Sequence, residues 1–196
     1  LFVQEPYLDE TDPAFGNPNL KGGKAIHYSA GAEYRPLSHL SFDATVFYKD
    51  MWNWVSRTDA LVNKNGMLAP LVYDNNGTGR VYGLELVVRH ELSRNLTGWV
   101  AYTLSHAERT DSGATKARKF DFDQPHILSL IASYLLPRNW QIGTRFRLVS
   151  GNPITPVAGS VYNASSDRYN AFFGPVNSAR NEPFHQLDLR IDKRWQ

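Results

Sequence analysis

The chain has 196 residues, 42% of them apolar and 20% charged, and 21 Lys and Arg against 19 Asp and Glu leave a formal net charge of +2. That near-balance argues against a nucleic-acid binder, which gathers a basic excess on one face, and the apolar share argues against intrinsic disorder. The longest apolar candidate, Ile127 to Leu136, is broken by Ser129 and Ser133 and falls short of the roughly 18 residues of a spanning helix, so a transmembrane helix is excluded and spanning strands are not.

In chain order, residues 1–23 read as a loop, because Pro6, Pro13 and Pro18 interrupt any ladder. From Lys24 to Arg35 the residues alternate, with Ile26, Tyr28, Ala30, Ala32 and Tyr34 on one face and His27, Ser29, Glu33 and Arg35 on the other. A repeat of two is the signature of a strand with one apolar face. Leu40–Lys49, Val81–His90 and Leu96–Ser105 repeat it. His126–Leu136 is apolar on both faces, with Leu128, Leu130, Ala132 and Tyr134 assigned to the outer one. Trp140–Val149 sets Ile142, Phe146 and Leu148 against Gln141, Arg145 and Arg147. In Phe184–Trp195, Leu187, Leu189 and Ile191 oppose Asp188, Arg190, Asp192 and Arg194. No segment carries a helical stripe, so the chain is all-β.

The connections alternate in length. Short ones fall at Pro36–His39, Glu91–Asn95 and Pro137–Asn139, and long ones at Arg57–Thr78, His106–Pro125 and Ser150–Pro183. Three long structureless loops do not suit a compact soluble domain. Short turns on one side and long loops on the other are the pattern of a transmembrane β-barrel, periplasmic and extracellular respectively. Aromatic side chains also gather at both ends of the apolar face. Tyr34, Tyr134, Trp140 and Trp195 lie towards the short turns, and Tyr48, Tyr82 and Tyr102 towards the long loops. Amphipathic rings settle at headgroup depth, so these seven are expected to form the membrane-interface girdle. A soluble sandwich has no reason to place aromatics at both ends of one face. About seven strands cannot close a single-chain bacterial barrel, which is even-numbered and has at least about eight. The fold class is therefore an antiparallel transmembrane β-barrel segment, residues 24–196 supplying strands, turns and loops of a larger barrel.

Several motifs resemble the barrel region of TonB-dependent outer-membrane receptors. Gly16-Asn17-Pro18-Asn19-Leu20 before an alternating strand is similar to that family's Asn-Pro-x-Leu segment, with Gly22-Gly23-Lys24 where Pro-Glu usually follows. Asn76-Gly77 followed by Gly83-Leu84-Glu85 looks like its Gly-aliphatic-Glu strand, and Asp123-Gln124-Pro125-His126, Ser150-Gly151-Asn152-Pro153 and Leu187-Asp188-Leu189-Arg190 look like pieces of later strands. The resemblance implies a barrel of about 22 strands around a plug and location in the bacterial outer membrane. It also implies energy from TonB and import of a scarce nutrient such as a metal chelate, cobalamin, haem or a glycan. It places this stretch in the last half of the barrel, about two strands short of its end. The expected partners are outer-membrane lipid, the protein's own plug and remaining strands, and TonB. The Ser150–Pro183 loop is long enough to meet an extracellular or surface-lipoprotein partner.

Candidate sites are few. Arg145 and Arg147 share the inward face of one strand with Arg190 on the next, where they can hold an anionic ligand by charge-assisted bonds. A cross-strand ladder with Asp188 is the preferred reading of the same residues. Trp52 and Trp54, spaced i, i+2, either stack on a sugar or aromatic siderophore or continue the upper girdle, with the girdle favoured. Asp9-Glu10-Thr11-Asp12 and Asp121-Phe122-Asp123 can offer oxygens to a cation, but read first as solvated loop charges. The six His show no metal spacing, and with no Cys in the chain no metal site, cofactor or catalytic residue is expected. The alternatives are a soluble all-β carbohydrate- or ligand-binding module and, behind it, an outer-membrane enzyme.

Overall fold

The computed structural model describes residues 2–7, 10–11, 16–64 and 66–195. Thirteen strands occur among them: β1 (Phe2–Gln4), β2 (Gly23–Leu37), β3 (Leu40–Lys64), β4 (Met67–Ser93), β5 (Leu96–Thr110), β6 (Arg118–Lys119), β7 (His126–Leu136), β8 (Trp140–Val149), β9 (Pro153–Ile154), β10 (Val157–Asn163), β11 (Arg168–Phe173), β12 (Ala179–Arg180) and β13 (Phe184–Lys193). The main sheet has the order β1-β2-β3-β4-β5-β7-β8-β13, with β6 folded back on β5, while β10-β11 and β12-β9 form two separate pairs. Each long strand lies beside its neighbour in sequence, as an up-and-down barrel wall requires.

The register decides the faces, because residues directly opposite each other in an antiparallel pair lie on the same side. Tyr102, Val100 and Leu96 stand opposite Leu128, Leu130 and Tyr134. Those in turn face Leu148, Phe146 and Ile142, and Phe146 and Ile142 face Leu187 and Ile191. One apolar row thus crosses four strands, and the outward assignment of Leu128, Leu130, Ala132 and Tyr134 agrees with it. The other face aligns Ala101, Ser129, Arg147 and Gln186. Both faces of β13 are exposed from Phe184 to Ile191, Leu189 to 73%.

The long connections differ from expectation. Arg57–Thr78 is not a loop: β3 and β4 run on to Lys64 and Met67. At 25 and 27 residues these strands are more than twice the roughly 9–11 that a bilayer requires. Beyond the membrane both faces meet water, so the strand keeps its backbone ladder and loses the apolar alternation by which it was sought. Likewise β5 continues to Thr110 and pairs with β6. Within Ser150–Pro183, the β10–β11 hairpin pairs Tyr162 with Tyr169. Residues 1–23 are not wholly loop either: Phe2, Val3 and Gln4 pair with Ala25, Lys24 and Gly23. The ladder stops at Gln4, two residues before Pro6, which does not forbid the pairing upstream of it.

The chain separates into two compact units. The first takes residues 1–28, 48–81 and 107–120, and the second takes 29–47, 82–106 and 121–196. In the first, Met51 and Ala107 are buried; in the second, Val149 is. The apolar row predicts that Leu189→Arg, placed near a bilayer midplane, lowers stability by about 2–4 kcal/mol. Asp188→Asn on the opposite face costs far less. Equilibrium unfolding of the whole receptor in lipid checks the order.

Candidate functional site

In the first unit, four segments that carry no shared periodicity are sewn together by polar side chains. Asn17 Nδ2 donates to Tyr73 O at 3.0 Å. Lys21 N donates to Asn75 Oδ1 at 2.7 Å, and Asn75 Nδ2 donates to both Lys21 O and Asn53 O at 2.8 Å. Asp74 accepts from Asn76 N and Nδ2 and, at 2.5 Å, from Ser112 Oγ. Ser56, only 2% exposed, accepts from Ser112 N at 2.9 Å. Asp111 is held by Arg109 Nε at 2.7 Å and Arg118 Nε at 2.5 Å, while Arg109 Nη2 also reaches Val55 O. Burial alone would raise the Asp111 carboxyl. The Arg118 hydrogen bond and the charges of Arg109 and Arg118 outweigh it, so the group is held below its ordinary range.

Trp54 belongs to this network. Its ring meets Phe120 edge-on at 5.9 Å and lies 5.7 Å from the Arg109 guanidinium. A side chain at Gly77 would start 2.6 Å from Trp54 O, so only glycine permits the approach. Asn53 has φ 56°, a left-handed residue inside a strand. Such a residue interrupts the regular extended backbone, so i, i+2 spacing does not by itself place Trp52 and Trp54 on one face. Trp52 is half-buried in β3.

In the second unit the most enclosed side chain is Asp123, 1% exposed. Arg180 Nη2 donates to its Oδ2 at 2.6 Å. Arg180 Nη1 donates to Asp123 O and, at 2.9 Å, to Gly151 O. His106 Nδ1 lies 3.8 Å from the other carboxylate oxygen. Gln124 Nε2 binds Asn152 Oδ1, and Asn177 Nδ2 binds Asp121 Oδ1 at 2.6 Å. These bonds tie the segment before β7 to both ends of the Ser150–Pro183 connection. Asp123 is therefore no solvated loop charge, a correction to the sequence reading. Its neighbour Asp121 is exposed, and Asp9 and Asp12 lie outside the described residues. Position in the chain hid the pairing, since Arg180 stands 57 residues away.

The arginines of the inner wall are placed as alternation requires. Asp188 stands opposite Arg145, and Gln186 opposite Arg147. The polar bonds nevertheless run along β13: Arg190 pairs with Asp192 at 2.8 Å, and Gln186 Nε2 donates to Asp188 at 2.9 Å. The expected Arg–Asp rung between strands appears elsewhere, as Arg89 to Asp43 at 2.6 Å. Arg145 and Arg147 are exposed on the wall. A concavity of about 660 Å³ brings together Arg145, Asp188, Arg190, Ser133 and Gln141, and leaves Arg147 outside it. Among the girdle candidates, Tyr34, Tyr48, Tyr82, Tyr134 and Trp140 are exposed on the strands, and Trp195 is exposed just past the end of β13. Tyr102 is half-buried, with its hydroxyl 2.8 Å from His126 Nδ1.

A family model described as TonB dependent receptor-like, beta-barrel matches residues 4–196. The chain belongs to this family, which locates it in the bacterial outer membrane. Among solved structures it is similar to the ferric-catecholate import receptor Fiu of E. coli K12, with 18% identity over 100% of this chain and 24% of that one, at a TM-score of 0.62. The pyoverdine outer membrane receptor FpvA of Pseudomonas aeruginosa PAO1 shares 18% identity over 88% of this chain and 23% of its own, at 0.59. The FrpB iron transporter of Neisseria meningitidis shares 15% over 90% and 25%, at 0.58. The chain thus spans about a quarter of each of these receptors. No curated protein matches it.

Two outcomes follow from the networks. Asp123→Ala leaves the partly buried Arg180 without its carboxylate and lowers stability by about 1–3 kcal/mol, with faster amide exchange confined to the 150–183 connection and the segment before β7. Asp111, whose folded value is depressed, contributes stability that is complete above the ordinary carboxylate value of about 4 and is lost as pH falls through the lowered folded value. An acid titration of hydrogen exchange at residues 109–118 should show that loosening, and Asp111→Asn should abolish it.

Proposed function

We propose that the protein containing this chain is a TonB-dependent receptor that imports an anionic iron chelate, with a plug inside the barrel and TonB supplying the energy. Arg145 and Arg147 carry the reading: two exposed guanidinium groups on the polar face of one strand, neither in an ion pair among the described residues although Asp188 stands opposite Arg145, at a wall whose family transports ligands. Guanidinium forks suit the carboxylate, catecholate or hydroxamate oxygens of such a chelate. The names of the similar receptors, which import ferric catecholate, bind pyoverdine or transport iron, support the same cargo class. Arg190, engaged by Asp192, stiffens the wall and contacts no cargo. The aromatic residues at both strand ends lie at headgroup depth, with lipid on the apolar row. Transport of this kind has no covalent step.

Radiolabelled ferric-chelate uptake by cells producing the full-length receptor provides the test. Arg145→Gln with Arg147→Gln is expected to weaken binding about tenfold or more, the loss of a charge-assisted hydrogen bond, and loss of TonB should abolish uptake while leaving surface binding. Unchanged affinity in the double variant would remove the wall arginines from recognition. Uptake that persists without TonB would contradict the energy-coupled reading.

A further inference from the structure

The short-turn side of the second unit is uneven in charge. Around β2 to β4 the arginines are matched, Arg35 by Glu33 and Arg89 by Asp43. Where β7, β8 and β13 meet the same side, Lys193 donates to Arg138 O, Arg94 sits in the neighbouring turn between β4 and β5, and the nearest acid along β13, Asp192, is taken by Arg190.

Two of these arginines occupy unusual backbone. Arg94 and Asn95 have φ of 47° and 70°, and Arg138 and Asn139 have φ of 60° and 63°. Two successive left-handed residues form the backbone of a type I′ turn, for which Asn, Asp and Gly are favoured and a long side chain is not. Asn fills the second position both times, as turn chemistry asks. Arg fills the first both times, which turn chemistry does not ask. The Asn95 carbonyl accepts from Leu135 N, so the first of these turns sits beside the end of β7.

Lys193 supplies an independent observation. Alternation puts it in line with Leu187, Leu189 and Ile191, and the register sets it opposite Trp140. Its Nζ lies 5.2 Å from the Trp140 ring and 5.3 Å from that of Trp195, and donates to Arg138 O. Ring faces attract a cation without neutralising it, and the ammonium keeps two further donors. A lysine at the end of an apolar row, between two indoles, marks the level at which hydrocarbon gives way to headgroups.

We propose that this rim binds the phosphate of an anionic glycerophospholipid of the inner leaflet. Arg138 and Lys193 hold the phosphodiester, Trp140 and Trp195 pack beside the glycerol, and Arg94 in the neighbouring turn extends the positive field. Lipid is the occupant because Lys193 and both indoles belong to the apolar face, which an acidic periplasmic peptide does not line. The site rests on the membrane orientation of the family and is independent of the cargo, so its test reads lipid and not uptake.

Full-length receptor is incubated in detergent with equal amounts of phosphatidylglycerol and phosphatidylcholine, and retained lipid is read by native mass spectrometry. Wild type should retain phosphatidylglycerol preferentially, with about a fivefold loss for each charge removed in Arg138→Asn, Lys193→Gln and Arg94→Asn. Asn at 94 or 138 suits the turn, so the unfolding midpoint in phosphatidylcholine vesicles should stay level or rise, which separates lost binding from lost folding. Equal retention of the two lipids by wild type, or an undiminished preference in the Arg138→Asn, Lys193→Gln double variant, would overturn the proposal. Displacement of the lipid by inorganic phosphate, or by an acidic peptide, at matching concentration would also overturn it, in favour of a free-anion site or a periplasmic protein.

Discussion

Hydrocarbon offers a peptide group no hydrogen-bond partner, so every backbone N–H and C=O within the bilayer has to be met by a neighbouring strand, and only a continuous ladder satisfies this. The rest of the structure follows from that constraint. β7 is paired on one side with β5 and on the other with β8, and β8 with β7 and β13. Once the ladder fixes the register, side chains have no further choice of face. Leu187, Leu189 and Ile191 share one side and Gln186, Asp188 and Arg190 the other, so a single pairing settles which residues can meet lipid and which can meet cargo.

The same constraint explains how much was legible in the sequence. Where one face meets lipid and the other a wet lumen, selection writes a repeat of two, and β8 is recovered from it with its bounds intact, whereas β7, apolar on both faces, is recovered as an unbroken apolar run with its bounds intact. Above the membrane the ladder persists but the contrast between faces goes. Leu61, Asn63 and Leu68 then stand in β3 and β4 without any alternation to announce them. Polar clusters are illegible for a different reason. The Asp123–Arg180 pair joins residues 57 apart, and Ser112 reaches Asp74 over a separation of 38. No local pattern encodes such a meeting. What the sequence did show at these positions was charge, and charge alone reads as solvated until a partner is found.

The polar work is divided accordingly. On the wall, guanidinium groups at Arg145 and Arg147 remain exposed, whereas in the connections Arg109, Arg118 and Arg180 are spent on carboxylates and carbonyls. The first kind is available to an anionic ligand. The second fixes long segments that have no apolar core to hold them, much as ion pairs between ordered groups replace packing where burial is shallow. Trp54 shows how spacing misleads: a left-handed Asn53 interrupts the repeat, and the ring serves the network beneath it.

The central claim is the division of β13 into a lipid face and a lumen face. With no native cysteine in this stretch, single cysteines placed one at a time across residues 186–191, in a receptor background from which any other cysteine has been removed, each carrying a spin label, can be compared in bilayers for collision with oxygen and with a water-soluble nickel chelate. The account predicts two profiles of period two that are out of phase, oxygen highest at 187, 189 and 191 and nickel highest at 186, 188 and 190. Profiles in phase with each other, or with no alternation, would contradict it.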